Sequence, residues 1–372
     1  SLTRPLYGFL HHLLGPSPPP PSSPPRRPPR GSVCSPSRLM AENTLAQVRG
    51  WLQARDVVRV CGSDATTYLQ GQVSQDIKSL RAGQNAWSLL LAPRGKINAW
   101  FRVTRREDGF LLDVDSGFAD ALVARLKRFM LGVEVLVEPL QNWQMLVLRN
   151  DSMGVVSCTT ADAASTTDAA GVADAAATTD AADVAATTDA ADVADKEGYE
   201  AQVNAGVFNA EVRATVGWPG FEGKDFLGPG LTIPPGLMVL SENDFQVARI
   251  RAGWPLMGRE LTERTIPAEV TGLVECSVSF TKGCYTGQEL VARIDSRGGK
   301  VPRPLRFLEI NCTSGVSAGD EIVVEDEIVG KVTSVAVDGQ TATSVALGVV
   351  HRRLQPPATA TVQGYSATVT AL

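Results

Sequence analysis

Residues 159–195 constrain the fold more than any other stretch, because they cannot form part of a core. They are almost entirely Ala, Thr and Asp, with Thr-Thr-Asp-Ala-Ala at 166, 178 and 187. Alanine permits a helix, but each Thr-Thr-Asp competes with it through local side-chain hydrogen bonds, and almost nothing large and apolar is there to bury. The repeat unit is too short to be one element of a solenoid. The segment 159–198 is therefore expected to be a disordered insert in a loop, with the folded body assembled from both sides of it. A second stretch is excluded in the same way. Residues 1–39 hold eleven of the 23 prolines, which favours a polyproline-like, unpaired backbone. Its five arginines and lack of acids fit an organelle-targeting peptide, but that much proline prevents the amphipathic helix such peptides form. The expectation is a disordered extension over 1–43, with Met40 as the start and a cytoplasmic protein. A mitochondrial or plastid location is the alternative if the extension is a transit peptide.

Charge has to be read with those two segments set apart. The formal net charge is −5, yet residues 159–195 carry eight Asp and no base, and residues 1–40 carry five Arg and no acid. The rest is nearly neutral, with no basic footprint for nucleic acid. No apolar run reaches membrane-spanning length. Six scattered cysteines without a CxxC pair argue against a disulfide framework or a zinc ribbon and suit a reducing compartment. Of three histidines, His351 alone lies outside the N-terminal tail, which leaves no basis for a histidine metal site or a Ser-His-Asp triad.

Between residues 44 and 158 the pattern is α+β. Leu45, Val48 and Leu52 keep helical spacing, and Val57–Val60 reads as a short strand. Ser63 or Asp64 is placed to cap a helix over Ala65–Ile77. Strands follow at Ala86–Leu91, Ile97–Val103 and Phe110–Val114, then an amphipathic helix over Phe118–Leu131 and strands near Val133–Val137 and Met145–Leu148. Beyond the insert, Leu231-Thr-Ile233 has a strand-like start and Glu242–Arg251 reads as a helix. From Val301 onward, short alternating strands (Arg306–Ile310, Glu321–Val324, Glu327–Val335, Thr343–Val350, Ala358–Val369) separated by Gly and Pro turns predict a small antiparallel barrel.

The chemistry-bearing stretch is Lys282-Gly283-Cys284-Tyr285-Thr286-Gly287-Gln288-Glu289, followed by Arg293. An apolar lead runs into a glycine-bracketed loop, and past Gly287 the pattern turns helical, with Glu289 spaced to pair with Arg293. Cys284 thus sits just ahead of a helix N-terminus. Lys282, Arg293, Arg297 and the helix end would favour thiolate over thiol. The alternative is a packed thiol, the usual state of a lone cysteine.

These eight residues resemble the signature of the YgfZ family, folate-binding relatives of the glycine-cleavage T-protein that help maintain iron–sulfur enzymes. Leu69-Gln-Gly-Gln-Val-Ser-Gln-Asp76 and Leu89-Leu-Leu-Ala-Pro-Arg-Gly95-Lys-Ile resemble two N-terminal blocks shared by both families. Ala248–Pro255 with Met257–Leu261 resembles a third, in which Arg249 matches an arginine near the folate. The likeness covers nearly all of residues 45–372 apart from the insert. It implies a T-protein-like folate-binding body over 44–158 and 199–300 with a β-barrel over 301–372, and tetrahydrofolate as cofactor. It further implies support of iron–sulfur cluster assembly or repair, and through it of radical tRNA-modifying enzymes. Iron–sulfur proteins or assembly factors would be the partners, with neither nucleic acid nor membrane bound directly.

One departure is informative. T-proteins carry a pair of aspartates a few residues after Gly95, the second being the acid–base residue; here Ala99 and Trp100 stand there. Indole cannot exchange a proton with a folate nitrogen. Cys284, with Lys282, is accordingly the expected catalytic pair, Gly283, Tyr285, Gly287, Gln288, Glu289 and Arg293 the supporting motif, and Trp87 and Arg249 the expected folate contacts. Trp87 offers an aromatic plane for a pterin, or simply packs in the core. The competing reading is a folate-dependent aminomethyltransferase, and a blander one is a folate-binding remnant without chemistry.

Overall fold

A computed structural model of the chain describes residues 48–150, 207, 209–235 and 237–372. The 1–43 extension and the 159–198 insert lie outside the described residues. In chain order the body comprises β1 (Val48–Cys61), α1 (Ala65–Gln72), β2 (Asn85–Leu91), β3 (Ile97–Arg106), β4 (Gly109–Asp115), α2 (Ala119–Lys127), β5 (Leu136–Leu140) and β6 (Trp143–Asn150). It continues with β7 (Val212–Val216), β8 (Gly223–Pro229), β9 (Met238–Val239), α3 (Glu242–Arg251), a 3-10 turn at Pro267–Glu269, α4 (Leu273–Ser277) and α5 (Gln288–Ser296).

The element that joins the two halves is β1. From Val48 to Ala54 it pairs with β6, and from Arg55 to Cys61 it pairs with β4, with β5 on its other edge. The sheet order β2-β3-β4-β1-β6-β8-β7 therefore unites strands from both sides of the insert. Helical spacing at Leu45, Val48 and Leu52 covers only two turns. Pairing along the strand overrides it, so the stretch from Val48 is strand and not helix.

Several boundaries and caps also differ from expectation. Asp64 is the N-cap residue of α1 but makes no capping bond. Its carboxylate accepts instead from Glu134 N (2.8 Å), and Ser63 Oγ donates to Glu134 Oε2 (2.9 Å), which ties the helix start to the segment before β5. Asp56 Oδ2 caps α2 by accepting from Ala119 N (2.8 Å). Leu231–Ile233 forms no strand.

Between the two halves of the sheet lies a buried ionic chain. Arg102 donates to Asp113 (Nε–Oδ2 3.0 Å) and to Asp225 (Nη1–Oδ2 2.9 Å), Arg55 shares Asp113, and Arg149 shares Asp225. Burying these charges is tolerable because each carboxylate accepts from two guanidinium groups. Asp225 is held below the ordinary carboxylate range by Arg149 and Arg102, which outweigh its burial.

The C-terminal module is a closed six-stranded barrel of β10 (Leu305–Ile310), β11 (Glu321–Val324), β12 (Glu327–Asp338), β13 (Thr343–Val350), β14 (Ala358–Val362) and β15 (Tyr365–Thr370). Pairing of β10 with β15 closes it around Leu308, Ile310, Ile322, Val332, Ala346, Val362 and Val369. The single expected strand Ala358–Val369 is two, because Gln363 (φ 52°) and Gly364 (φ 82°) turn the chain back as a hairpin.

Candidate functional site

The signature loop lies between α4 and α5, mounted on the two N-terminal blocks. Ser74, just past α1, is fully buried and fixes one side: its Oγ donates to Ser277 O (2.6 Å) and accepts from Leu89 N (2.8 Å). Ser279 N donates to Ser74 O (3.1 Å). The ammonium of Lys282 then donates to three carbonyls, Gln70 O (2.6 Å), Val73 O (2.6 Å) and Gln75 O (3.1 Å). Its charge also lies 5.3 Å from the centre of the Tyr285 ring. Burial draws the Lys282 pKa down to about 8 and pushes the Tyr285 phenol up to about 12.

On the far side, Gly287 (φ 83°) and Gly95 (φ 74°) let two backbones meet. A Cβ on Gly287 would stand 2.5 Å from Ala92 O, and one on Gly95 would stand 2.4 Å from Leu290 Cβ. Both positions combine a left-handed conformation with a contact only glycine allows. Gln288 closes the turn, its Oε1 accepting from Tyr285 N (3.1 Å). Between these anchors Cys284 is exposed, and a Cβ on Gly283 would meet nothing within 4 Å. Phe280, 54% exposed, flanks the same loop. Glu289 and Arg293 are both exposed, and no ion pair joins them among the described residues.

The inner face of the sheet behind this loop is sealed by aromatics. Trp100 is buried and stacks on Trp87 (centroids 4.3 Å, 23°), and Trp254 meets both at 5.1 and 5.4 Å. Trp218 extends the cluster at 5.3 Å from Trp254. Trp100 Nε1 donates to Ser277 Oγ (2.9 Å), so this position holds a packed indole linked to α4. Beside it Cys276 is pushed up to about 11 by burial, which makes it a poor nucleophile. Trp87 itself is half-buried, with the Arg102 guanidinium 5.3 Å from its ring centre.

Arg249 is fully buried and each of its three nitrogens is engaged. Nε donates to Gln246 Oε1 (2.5 Å), Nη1 to Trp254 O (3.2 Å) and Glu260 Oε2 (3.4 Å), and Nη2 to Ser334 Oγ (2.6 Å). Burial lowers its pKa to about 10. Glu260 also accepts from Thr333 and Ser334 of the barrel (2.8 and 2.6 Å), so this pair joins the two modules. Alongside lies a cleft of about 390 Å³ lined by Trp218, Gly220, Arg251, Gly253, Phe307 and Leu372. Its size falls within the range of small-molecule sites, and its two aromatic rings suit a flat heteroaromatic ring. Arg251 on the same wall is paired with Asp338 (Nε–Oδ2 3.0 Å).

The signature loop meets the two N-terminal blocks, whereas Arg249 is bonded to Gln246, Trp254, Glu260 and Ser334, and Cys284 does not line the cleft. Three contributors gave little sign of themselves. Ser74 and Ser277 look like surface hydroxyls until folding buries them. The carbonyls of Gln70, Val73 and Gln75 carry no side-chain signal. Glu260 is one of several acids in its segment. The signal available was the Gly71–Asp76 block itself, whose backbone the loop requires.

No protein-family model matches the chain. An uncharacterized protein of Haemophilus influenzae is 23% identical over 290 residues, covering 76% of this chain and 82% of that protein. Proteins called tRNA-modifying protein YgfZ from Enterobacter sp. and Yersinia pseudotuberculosis are 25% and 24% identical over 295 and 279 residues. These cover 79% and 75% of this chain and 79% and 74% of the relatives. Among solved structures, the glycine cleavage system aminomethyltransferase T of Bartonella henselae superposes with a TM-score of 0.61 at 18% identity, over 90% of this chain and 88% of that one. That likeness establishes the shared fold.

Proposed function

The chain resembles the YgfZ proteins over about three quarters of its length, and from that premise we propose that it belongs with them, binds tetrahydrofolate and supports iron–sulfur cluster assembly or repair through Cys284. Radical tRNA-modifying enzymes would be among those that depend on it, in keeping with the name its relatives carry. The observation that supports this reading is a pairing of opposites. The sheet position that serves proton transfer in aminomethyltransferases holds buried Trp100, while the exposed thiol of Cys284 stands on a loop clamped to both N-terminal blocks.

Folate, when bound, supplies a carrier for one-carbon units. The residues that suit it are Trp218 and Phe307, whose rings line the cleft; Arg251, on the same wall, is already paired with Asp338 (Nε–Oδ2 3.0 Å). Trp87 offers the part of its surface not covered by Trp100. Arg249, engaged on every nitrogen, serves the site by holding its wall. Cys284 transiently ligates an iron of the incoming iron–sulfur species, displacing a ligand of the donor. A single cysteine cannot hold a cluster, so an iron–sulfur protein or assembly factor supplies the other ligands. No helix among the described residues is long and apolar enough to cross a membrane.

The direct test is a tetrahydrofolate titration of purified protein followed by tryptophan fluorescence, then incubation with tetrahydrofolate and an aminomethyl donor. Saturable quenching without turnover is expected. Turnover would establish the aminomethyltransferase reading in its place.

A further inference from the structure

We propose that Lys282 is the positioning residue of the Cys284 loop: its ammonium clasps the loop to the carbonyl end of α1, and it does not act as the charge partner of the thiol. The inference rests on Cys284 being the working residue and names what presents it.

The acceptors are carbonyls the helix leaves free. In a continued helix Gln70 O would accept from Ser74 N, but Ser74 N donates to Leu89 O (3.0 Å) instead. Val73 is the C-cap residue of α1, in an extended conformation that ends the helix, and Gln75 follows it. Three carbonyls thus converge at the negative end of the helix, where a cation is favoured. An ammonium has three protons, and Lys282 spends all three on them. None remains to donate to Cys284 Sγ. An amine with a pKa of about 8 is still protonated at neutral pH, so the three bonds persist there.

The loop has little else to hold it. From Phe280 to Cys284, among the described residues, the Lys282 bonds are the hydrogen bonds that reach another element. The remaining one, Ser279 Oγ to Thr281 Oγ1 at 3.3 Å, is local. Ser279 N and Tyr285 N anchor the ends, and the span between them crosses open space at Gly283. Cutting the clasp would leave Cys284 on a tethered but unsupported loop.

The test uses the full chain carrying Lys282→Met or Lys282→Arg, with two readouts independent of iron–sulfur activity. One is hydrogen exchange over residues 279–287; the other is the pH midpoint of Cys284 alkylation. In both variants exchange should quicken by about tenfold or more while the midpoint stays put. The arginine variant separates the accounts, because it keeps the charge but a planar fork cannot meet three convergent carbonyls. Unchanged exchange in the arginine variant overturns the proposal. So does an alkylation midpoint that rises by about one pH unit in the methionine variant, since Lys282 would then be acting through its charge. Should the methionine variant fail to fold, exchange in the arginine variant decides alone. If instead Cys284→Ala keeps full cellular function, the reading of Cys284 falls while these two measurements still judge the clasp.

Discussion

At the scale of single residues, function follows from which side chains the fold buries and which it leaves exposed. That position 100 carries an indole, which has no group titrating near neutrality, was legible in the sequence. That it would stack on Trp87 and reach Ser277 was not legible, since both contacts depend on how strands β2 and β3 pair and on α4 far along the chain. Glu269 gives a residue-scale prediction. It is buried, its Oε1 has no partner, and burial holds its carboxyl above the ordinary range despite Arg303 and Lys96 nearby. A raised folded-state pKa means the folded protein binds more protons than the unfolded chain, so its contribution to stability is present at low pH and fades as pH climbs through the folded value. Glu269→Gln should therefore gain on wild type as pH rises from about 4 to about 7, where an ordinary glutamate loses its proton. Melting temperatures across that range check it, and a gap between the proteins that does not widen would contradict it.

At the scale of elements, the loop and helix around Cys284 were read well from their glycines and apolar spacing, because Gly287 marks a backbone turn that any fold would need. The mount was not readable, as it is made of backbone carbonyls and the Ser74 hydroxyl, contributed from over two hundred residues away. The two loop glycines should separate cleanly. Gly287→Ala places a side chain at φ 83° against Ala92 O and should cost about 2–3 kcal/mol. Gly283→Ala meets open space and should stay within about 0.5 kcal/mol of wild type. Denaturant midpoints measure both, and equal losses would mean the loop does not rest on the Ala92–Gly95 turn. The β1 stretch shows the opposite failure: two turns of helical spacing looked informative, yet partners on either edge fixed it as strand.

At the scale of the whole molecule, the α+β body and the barrel were legible because alternation and turn residues recur over many strands, while the seam between them was not. That seam runs through Arg249, Glu260, Ser334 and the Arg251–Asp338 pair, each unremarkable in sequence. Arg249→Ala would leave Glu260 buried without its cation and should cost about 3–5 kcal/mol. The loss should appear as lower cooperativity in thermal unfolding, with the barrel parting from the body; an unchanged melt would mean the seam rests on apolar packing alone. On the proposed function, the cleft takes folate while the chemistry rests with the exposed Cys284 and not with the sheet. The most direct measurement replaces the protein in cells lacking it with Cys284→Ala, follows the activity of an iron–sulfur enzyme, and titrates the purified variant with tetrahydrofolate. The account predicts that enzyme activity is lost while folate affinity stays at the wild-type value; full activity with the alanine variant would contradict it.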